Sequence, residues 1–466
     1  MSSENTDSSN LESPDLMSYL HETIPIEEIR DARSLQRIHS IDFVKGLAMI
    51  MIIVCHVVAA WFTPEWIFMY GEVYAALDIL GPSLFVFLSA LSVIFATKKK
   101  QGKLPEKVIR ARIFSRGATI MFIGFIYNIG VSAMGYTTPG YSFPWNLWGW
   151  NILMFIGFSQ IISYYALKLK KYARAIIGTA IIVISPIFRY WIFLGKDDYL
   201  IFWLLHYLIT SPAPQVTLLP WLAVCFFSTI FGELLYNAMI KGSKKAYYKL
   251  FWSFMLWGVI FVCIGIFVPF LQPTTNNMYA WQPGYALQTL DSMSVEEYPH
   301  LDLWRIMNKQ KYYYFEGMPL FLIRGTASNM FYNLGAALLI IGICFYFIDI
   351  KRIDNDFTSM IIYYGKISLS LFLLHYLMIP LFVGAFSIHF MPFFVIAYIG
   401  LCGLLFYIWF EFFDGKYSPE WMMIQIGKIG QKAGEEVAKD AHKLVEKTKE
   451  VIHKITHHDH KETGEG

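Results

Sequence analysis

Ten runs of about 20 mainly apolar residues follow one another along this chain, and they constrain its fold more than any other feature. A helix needs about 20 such residues to cross the hydrocarbon core of a bilayer. The runs lie at 41–62, 73–97, 117–136, 147–167, 173–194, 218–240, 248–271, 328–349, 366–389 and 392–412. The pattern predicts an all-α, polytopic integral membrane helix bundle with about ten transmembrane helices.

The composition agrees with this prediction. Hydrophobic residues make up 56% of the chain and charged residues 16%, whereas a soluble domain averages about 25% charged residues. The formal net charge of +3 gives no reason to expect a nucleic-acid partner. A shorter apolar run at 198–211, followed by Pro212, predicts a re-entrant or interfacial helix. If it crosses the membrane, the count becomes eleven and the C-terminus changes side.

Positive charges fall in alternate loops, which predicts the orientation. One set of loops, 98–116, 168–174, 241–249 and 351–352, is rich in Lys and Arg, whereas the opposite short loops hold only Lys196. This pattern places both termini in the cytoplasm. It divides the chain into a polar cytoplasmic segment (1–40), a transmembrane domain (41–412) with a long non-cytoplasmic loop (272–327), and a cytoplasmic amphipathic helical tail (413–466). We expect a multi-pass protein of the cell membrane. The partners considered are membrane lipids and, in a homo-oligomer, further copies of the chain.

The first apolar run carries Lys45 and His56, eleven residues apart. Three turns of helix separate them, so both lie on nearly the same face, about 16 Å apart. An ionisable group inside a membrane span is costly and suggests a functional site. Asp78, in the second run, is predicted at the same depth as His56, where a carboxylate could fix the tautomer of the histidine. The alternatives are a lysine that reaches the membrane surface and a polar pair that only joins two helices.

A second intramembrane histidine, His375, lies in the middle of the ninth run, seven residues after Ser368. Other polar residues also fall in apolar runs. We expect Asn151 and Gln160 to line a site, and Glu233 and Glu411 to lie at the membrane interface. No metal site is predicted.

The basic loop 98–116 contains Arg110, Arg112 and Arg116. Guanidinium groups bind phosphate well, so one interpretation is a clamp for the phosphates of coenzyme A. The other is that the loop only sets topology and contacts anionic lipids.

Four motifs, in order, resemble the transmembrane acyltransferase superfamily, which includes the acyltransferase-3, heparan-α-glucosaminide N-acetyltransferase and YeiB-like proteins. The opening motif is Ser40-Ile-Asp-Phe-Val-Lys-Gly-Leu-Ala48 followed by His56. The second is Gly81-Pro-Ser-Leu-Phe-Val-Phe-Leu-Ser-Ala90. The third is Gly365-Lys-Ile-Ser-Leu-Ser-Leu-Phe-Leu-Leu-His375, and the last is Tyr417-Ser-Pro-Glu-Trp421.

Some positions depart from the family patterns. Lys45 stands where an arginine is usual, and Ala90 and Ser418 replace glycines. The lysosomal N-acetyltransferases place their histidine about one loop further on, where this chain has Ile67. The histidine role is therefore transferred only to His56, on the acyltransferase-3 pattern.

The resemblance implies an enzyme that takes an acyl group, with acetyl expected first, from cytoplasmic acyl-CoA. The acceptor would be a hydroxyl or amine of an extracytoplasmic sugar or glycolipid. His56 would act as general base with its tautomer set by Asp78, and His375 would stabilise the oxyanion or position the donor. Lys45, Arg110, Arg112 and Arg116 would bind coenzyme A. The alternatives are a transporter or flippase, in which His and Asp relay protons, and a scaffold that recruits a partner through residues 421–456.

Overall fold

The computed structural model describes residues 38–62, 76–98, 101, 105–133, 144–209, 217–270, 319–422 and 425. Within these ranges the regular structure is helical, isolated bridges aside. The helices are α1 (His39–Trp61), α2 (Pro82–Lys98), α3 (Glu106–Ala133), α4 (Ile152–Ala166), α5 (Lys171–Gly195), α6 (Leu200–Ile209), α7 (Leu218–Trp221), α8 (Ala223–Lys241), α9 (Lys244–Phe267), α10 (Ala327–Phe345), α11 (Asp356–Lys366), α12 (Ser368–Leu374) and α13 (Met391–Phe412). The predicted all-α class is confirmed.

The predicted count of ten spans is not confirmed. In the described part of the chain, seven helices are long and apolar enough to cross a membrane, and a bent pair makes up to eight. Two other predicted spans form shorter helices: α2 has 17 residues and α4 has 15. Helix α6 has ten residues, too few to cross a bilayer core. The orientation and the domain limits stay predictions.

The prediction of one continuous span at 366–389 is wrong. Helix α11 ends at Lys366, and the next helical segment, Ser368–Leu377, leaves at an angle of 72°. The chain then continues in short 3-10 turns, His375–Leu377 and Ile379–Phe382. Pro380 contributes to this break because it has no backbone N–H to donate. The apolar run therefore folds back beside α1 as a broken segment.

Helix α4 is shorter than predicted because a polar side chain begins it. Asn151 is its N-cap, and its Oδ1 accepts a hydrogen bond of 2.8 Å from the backbone N–H of Met154. The Asn151 Nδ2 donates to the carbonyl of Gly124 at 2.7 Å and to Oδ1 of Asn128 at 2.7 Å, both on α3. Asn151 was expected to line a site, but its hydrogen bonds join α3 to α4.

Helix α1 lies in the centre of the bundle, where it packs against α2, α10, α11 and α13. Its inward side chains, such as Val44, Ala48 and Val57, are fully buried. Behind it, Glu233 of α8 is buried and pairs with Arg174 at 2.6 Å and with Lys98 at 2.8 Å. The helices around α1 are thus held by an apolar core and by one buried ion cluster.

Candidate active site

Two histidines predicted from separate parts of the sequence meet in the structure. Nδ1 of His56, on α1, lies 2.8 Å from Nε2 of His375, at the end of α12. The two ring planes differ by only 3°. On the other side of His56, its Nε2 lies 3.0 Å from the hydroxyl of Tyr376. Both ring nitrogens of His56 therefore have partners in the broken segment that follows α11.

When both imidazole rings are neutral, the hydrogen bonds that link Leu371, His375, His56 and Tyr376 have only one possible donor-to-acceptor order. Nδ1 of His375 lies 2.9 Å from the carbonyl oxygen of Leu371. A carbonyl only accepts, so this nitrogen carries the proton and Nε2 of His375 is an acceptor. Nδ1 of His56 then donates to it, and Nε2 of His56 accepts from Tyr376. The arrangement leaves Nε2 as the basic nitrogen of His56.

Contacts on several sides fix the broken segment beside α1. The indole N–H of Trp61 donates to the carbonyl of Ile379 at 2.8 Å, and the amide of Gly384 donates to the carbonyl of Ala60 at 2.9 Å. Tyr398 of α13 donates to the carbonyl of His375. The end of α1 therefore holds the chain on which His375 is carried.

The His56–His375 pair lies in the interior of the bundle. His375 is 1% exposed, whereas His56 is half-buried. The ring of Tyr127, on α3, packs against Tyr376 with 5.3 Å between centroids. A neutral histidine that is oriented by a second one, inside a helix bundle, is an arrangement suited to a general base.

The structure leaves the Asp78 prediction open. The 3-10 turn Asp78–Leu80 packs against α1 and α10, but the Asp78 side chain lies outside the described residues. In the hydrogen-bond arrangement described above, His375 occupies the position from which Asp78 was expected to orient His56. Pairing of Asp78 with His56 stays a prediction.

Of the four residues predicted to bind coenzyme A, two line a common cavity and two do not. Arg112 and Arg116, one turn apart on α3, line the same cavity of about 80 Å³, together with Gln160 of α4. Arg110 is exposed and is not among the residues that line this cavity. Lys45 lies elsewhere, at 3.8 Å from the carboxylate of Asp42 on its own helix.

In this arginine cavity, defined by Arg112, Arg116 and Gln160, not every polar donor has a hydrogen-bond partner among the described residues. The Nε of Arg112 is buried and has no hydrogen-bond partner among the described residues. Gln160 donates from Nε2 to the hydroxyl of Ser89 at 3.3 Å. Two guanidinium groups around a small cavity suit a phosphate group. The cavity volume of about 80 Å³ suits one or two phosphate groups rather than a whole nucleotide.

Helix α3 connects the arginine cavity to the histidines. Arg116 lines the cavity, and Tyr127, eleven residues further on, packs against Tyr376. Eleven helical residues correspond to about 16 Å. The eleven-residue spacing of Lys45 and His56 on α1 therefore recurs on α3, between Arg116 at the arginine cavity and Tyr127 beside Tyr376. In the described part of the chain, no group of three or more His, Cys, Asp or Glu side chains could hold a metal ion.

Two residues of the site were missed in the sequence. Tyr376 directly follows His375, and an aromatic hydroxyl beside an intramembrane histidine was a usable signal. Glu420, in the last motif, accepts hydrogen bonds from Ser370 of α12. No spacing in the sequence indicates this contact, since 50 residues separate the two.

Comparison with known proteins identifies the family. No curated protein and no solved structure matches the chain. A family model described as heparan-alpha-glucosaminide N-acetyltransferase, catalytic, matches residues 37–281, slightly more than half of the chain. The matched range contains His56 and the arginine cavity, whereas His375 and Tyr376 follow it. On this match, and on the helical membrane fold, the chain belongs to the heparan-alpha-glucosaminide N-acetyltransferase catalytic family.

Proposed function

We propose that this protein is a membrane acyltransferase that moves an acyl group, acetyl in the first instance, from cytoplasmic acyl-CoA to an extracytoplasmic sugar or glycolipid. The observation that carries the proposal is the hydrogen-bonded group of Leu371, His375, His56 and Tyr376. The family match supports acetyl transfer. The role of His56 itself rests on this geometry and on the acyltransferase-3 pattern, since Ile67, at the position of the lysosomal histidine, lies outside the described residues.

In the proposed reaction, Nε2 of His56 removes the proton from the acceptor hydroxyl or amine as that group attacks the thioester carbonyl. The carbon–oxygen or carbon–nitrogen bond forms, and the carbonyl oxygen becomes negative. Collapse of this intermediate breaks the carbon–sulfur bond, and the proton passes from His56 to the leaving thiolate of coenzyme A. General-base catalysis of this kind contributes about 10²–10⁴-fold.

His375 is proposed to orient His56. Its Nε2 accepts from Nδ1 of His56 at 2.8 Å and, when His56 takes a proton on Nε2, this contact stabilises the imidazolium. This differs from the oxyanion or donor-positioning role expected from the sequence. The hydroxyl of Tyr376 lies at Nε2 of His56, where an acceptor hydroxyl must arrive. Once displaced, Tyr376 is placed to donate to the oxyanion.

The donor is proposed to enter from the side of the arginine cavity. The diphosphate of coenzyme A would lie between Arg112 and Arg116, and the pantetheine arm would run along α3 for about 16 Å toward Tyr127. Lys45 and Arg110 are not needed to hold the diphosphate in this arrangement. The acceptor would approach His56 from the opposite, extracytoplasmic side, as the positive-inside pattern predicts.

The experiment that tests the proposal is acyl-CoA turnover by purified protein with surface-glycan extracts. Release of free coenzyme A thiol and acylation of the glycan are both measured, for the wild type and for His56→Ala. We expect the variant to lose about 10²–10⁴-fold in rate. His389→Ala is the matched control, because His389 is exposed and bonds locally to Ser387.

Wild-type turnover in His56→Ala would contradict the base mechanism. A wild-type protein that binds glycolipid but releases no coenzyme A with any acceptor would support the transporter or flippase alternative.

A further inference from the structure

Glu420 contacts the helix that carries His375, although it lies beyond the last membrane-spanning helix. Its Oε1 accepts a hydrogen bond of 2.8 Å from the backbone N–H of Ser370, and its Oε2 accepts one from the Ser370 hydroxyl. Ser370 is fully buried. Burial raises the pKa of the Glu420 carboxyl above its usual range, and its hydrogen bonds with Ser370 oppose this shift.

This contact lies where α12 needs acceptors. Helix α12 begins immediately after the 72° bend at Ile367, so α11 does not satisfy its first N–H groups in a continuous ladder. The first N–H groups of a helix have no partner within the helix and require one from outside. A carboxylate is favourable at this end of the helix. Glu420 therefore stabilises both the start of α12 and the bend before it.

Helix α12 in turn determines where His375 lies. It has seven residues, and Ser370 and His375 are less than two turns apart on the same segment. The ring of His375 bonds to Leu371, the residue after Ser370. A displacement at Ser370 therefore reaches Nε2 of His375, which faces His56 at 2.8 Å.

Glu420 is itself held in a rigid turn. Ser418 accepts a hydrogen bond from the N–H of Trp421 at 3.1 Å, and Trp421 is 2% exposed. The indole N–H of Trp409 donates to the carbonyl of Lys416 at 2.9 Å. The motif Ser418-Pro-Glu-Trp421 thus places one carboxylate against α12.

We propose that Glu420 is a positioning residue for the active site: by bonding the N-terminal end of α12 it sets the distance between His375 and His56. The inference rests on the proposed function for its effect on rate. Its effect on structure does not depend on that function.

The test compares Glu420→Ala with Glu420→Gln in the full chain. Glu420→Ala loses the acceptor, and we expect kcat to fall about 10²-fold, as it does when a catalytic group is misplaced by about 1 Å. The KM for acyl-CoA stays within about twofold, because the arginine cavity is remote from this contact. Glu420→Gln keeps an oxygen for the Ser370 N–H, so it restores most of kcat.

Two further observations complete the test. Hydrogen exchange in the peptide that contains residues 368–376 accelerates in Glu420→Ala and only slightly in Glu420→Gln. Asp197→Asn is the control: it removes an exposed carboxylate that pairs with the adjacent Lys196 after α5, and it leaves both kcat and this exchange unchanged.

The outcomes separate the two proposals. Unchanged kcat and unchanged exchange in Glu420→Ala overturn the positioning role even if His56 proves essential. Equal loss in Glu420→Gln and Glu420→Ala, with faster exchange throughout the protein, also overturns it in favour of general stability. Faster exchange confined to 368–376, in a protein without any acyl-CoA turnover, supports the positioning of α12 and contradicts the proposed enzyme.

Discussion

Gly46 of α1 and Gly365 of α11 lie at the crossing of their helices, where the two backbones touch. A β-carbon on Gly46 would overlap the carbonyl of Ile361, and one on Gly365 would overlap the carbonyl of Asp42. Each glycine precedes its histidine, His56 or His375, by ten residues. Close contact of the opening and third motifs thus fixes the two segments that carry the site.

Gly46→Ala is therefore expected to force α1 and α11 apart. Overpacking of this kind costs about 1–3 kcal/mol, and the rigid backbone atoms at this crossing place the change at the upper end. We expect a lower midpoint of thermal unfolding in detergent and a loss of acyl transfer. The matched control is Gly400→Ala on α13, since a β-carbon there meets nothing within 4 Å. A Gly46→Ala protein as stable and active as Gly400→Ala would contradict the crossing.

A second prediction concerns the hydroxyl of Tyr376. Tyr376→Phe keeps the ring, which packs against Tyr127 and His375, and removes only the donor to His56. If this hydroxyl stabilises the oxyanion, kcat falls about 10²-fold, as for other oxyanion donors, while the KM for acyl-CoA is unchanged. Steady-state kinetics check this, with exposed Tyr165→Phe as control. A change in KM alone would assign Tyr376 to binding instead.

The sequence reveals His56 and His375 individually, because a titratable residue stands out in a long apolar run. It does not reveal that they meet. Their contact depends on the bend at Ile367, and a hydropathy pattern registers neither this bend nor the hydrogen bond between Ser370 and Glu420, 50 residues away. The same limitation explains why 366–389 was predicted as one straight span.

The sequence could also have shown which of the three arginines lie together. Arg112 and Arg116 are four residues apart and share one face of a helix, whereas Arg110 is two residues from Arg112 and faces elsewhere. Helical periodicity alone could have separated the two that line the arginine cavity from the third. That Gln160 joins them could not have been predicted, since it depends on how α4 packs against α3.

A third prediction follows for the donor. Arg112→Gln and Arg116→Gln are each expected to raise the KM for acyl-CoA about tenfold, the usual size for loss of a charge-assisted hydrogen bond, with little change in kcat. Arg110→Gln, at an exposed position outside the cavity, is the control. An acyl-pantetheine donor, which lacks the diphosphate, should be used equally well by all these proteins. If Arg112→Gln and Arg116→Gln also raised the KM for acyl-pantetheine, these arginines would not bind the diphosphate.

The last prediction concerns the buried ion cluster of Glu233, Arg174 and Lys98. The side chains of Glu233 and Arg174 are only 9% and 2% exposed, so Glu233→Gln leaves the Arg174 guanidinium buried without its counter-charge. Removing one partner of a buried pair costs about 3–5 kcal/mol.

Thermal or denaturant unfolding in detergent measures this loss of stability. The control is Asp197→Asn, which breaks the Lys196–Asp197 pair, in which Asp197 is 80% exposed. An exposed pair of this kind contributes at most about 1 kcal/mol. Equal effects of the two substitutions would show that the Glu233 cluster is screened by water. A much larger effect of Glu233→Gln would show that this carboxylate fastens α2, α5 and α8 around the central helix α1.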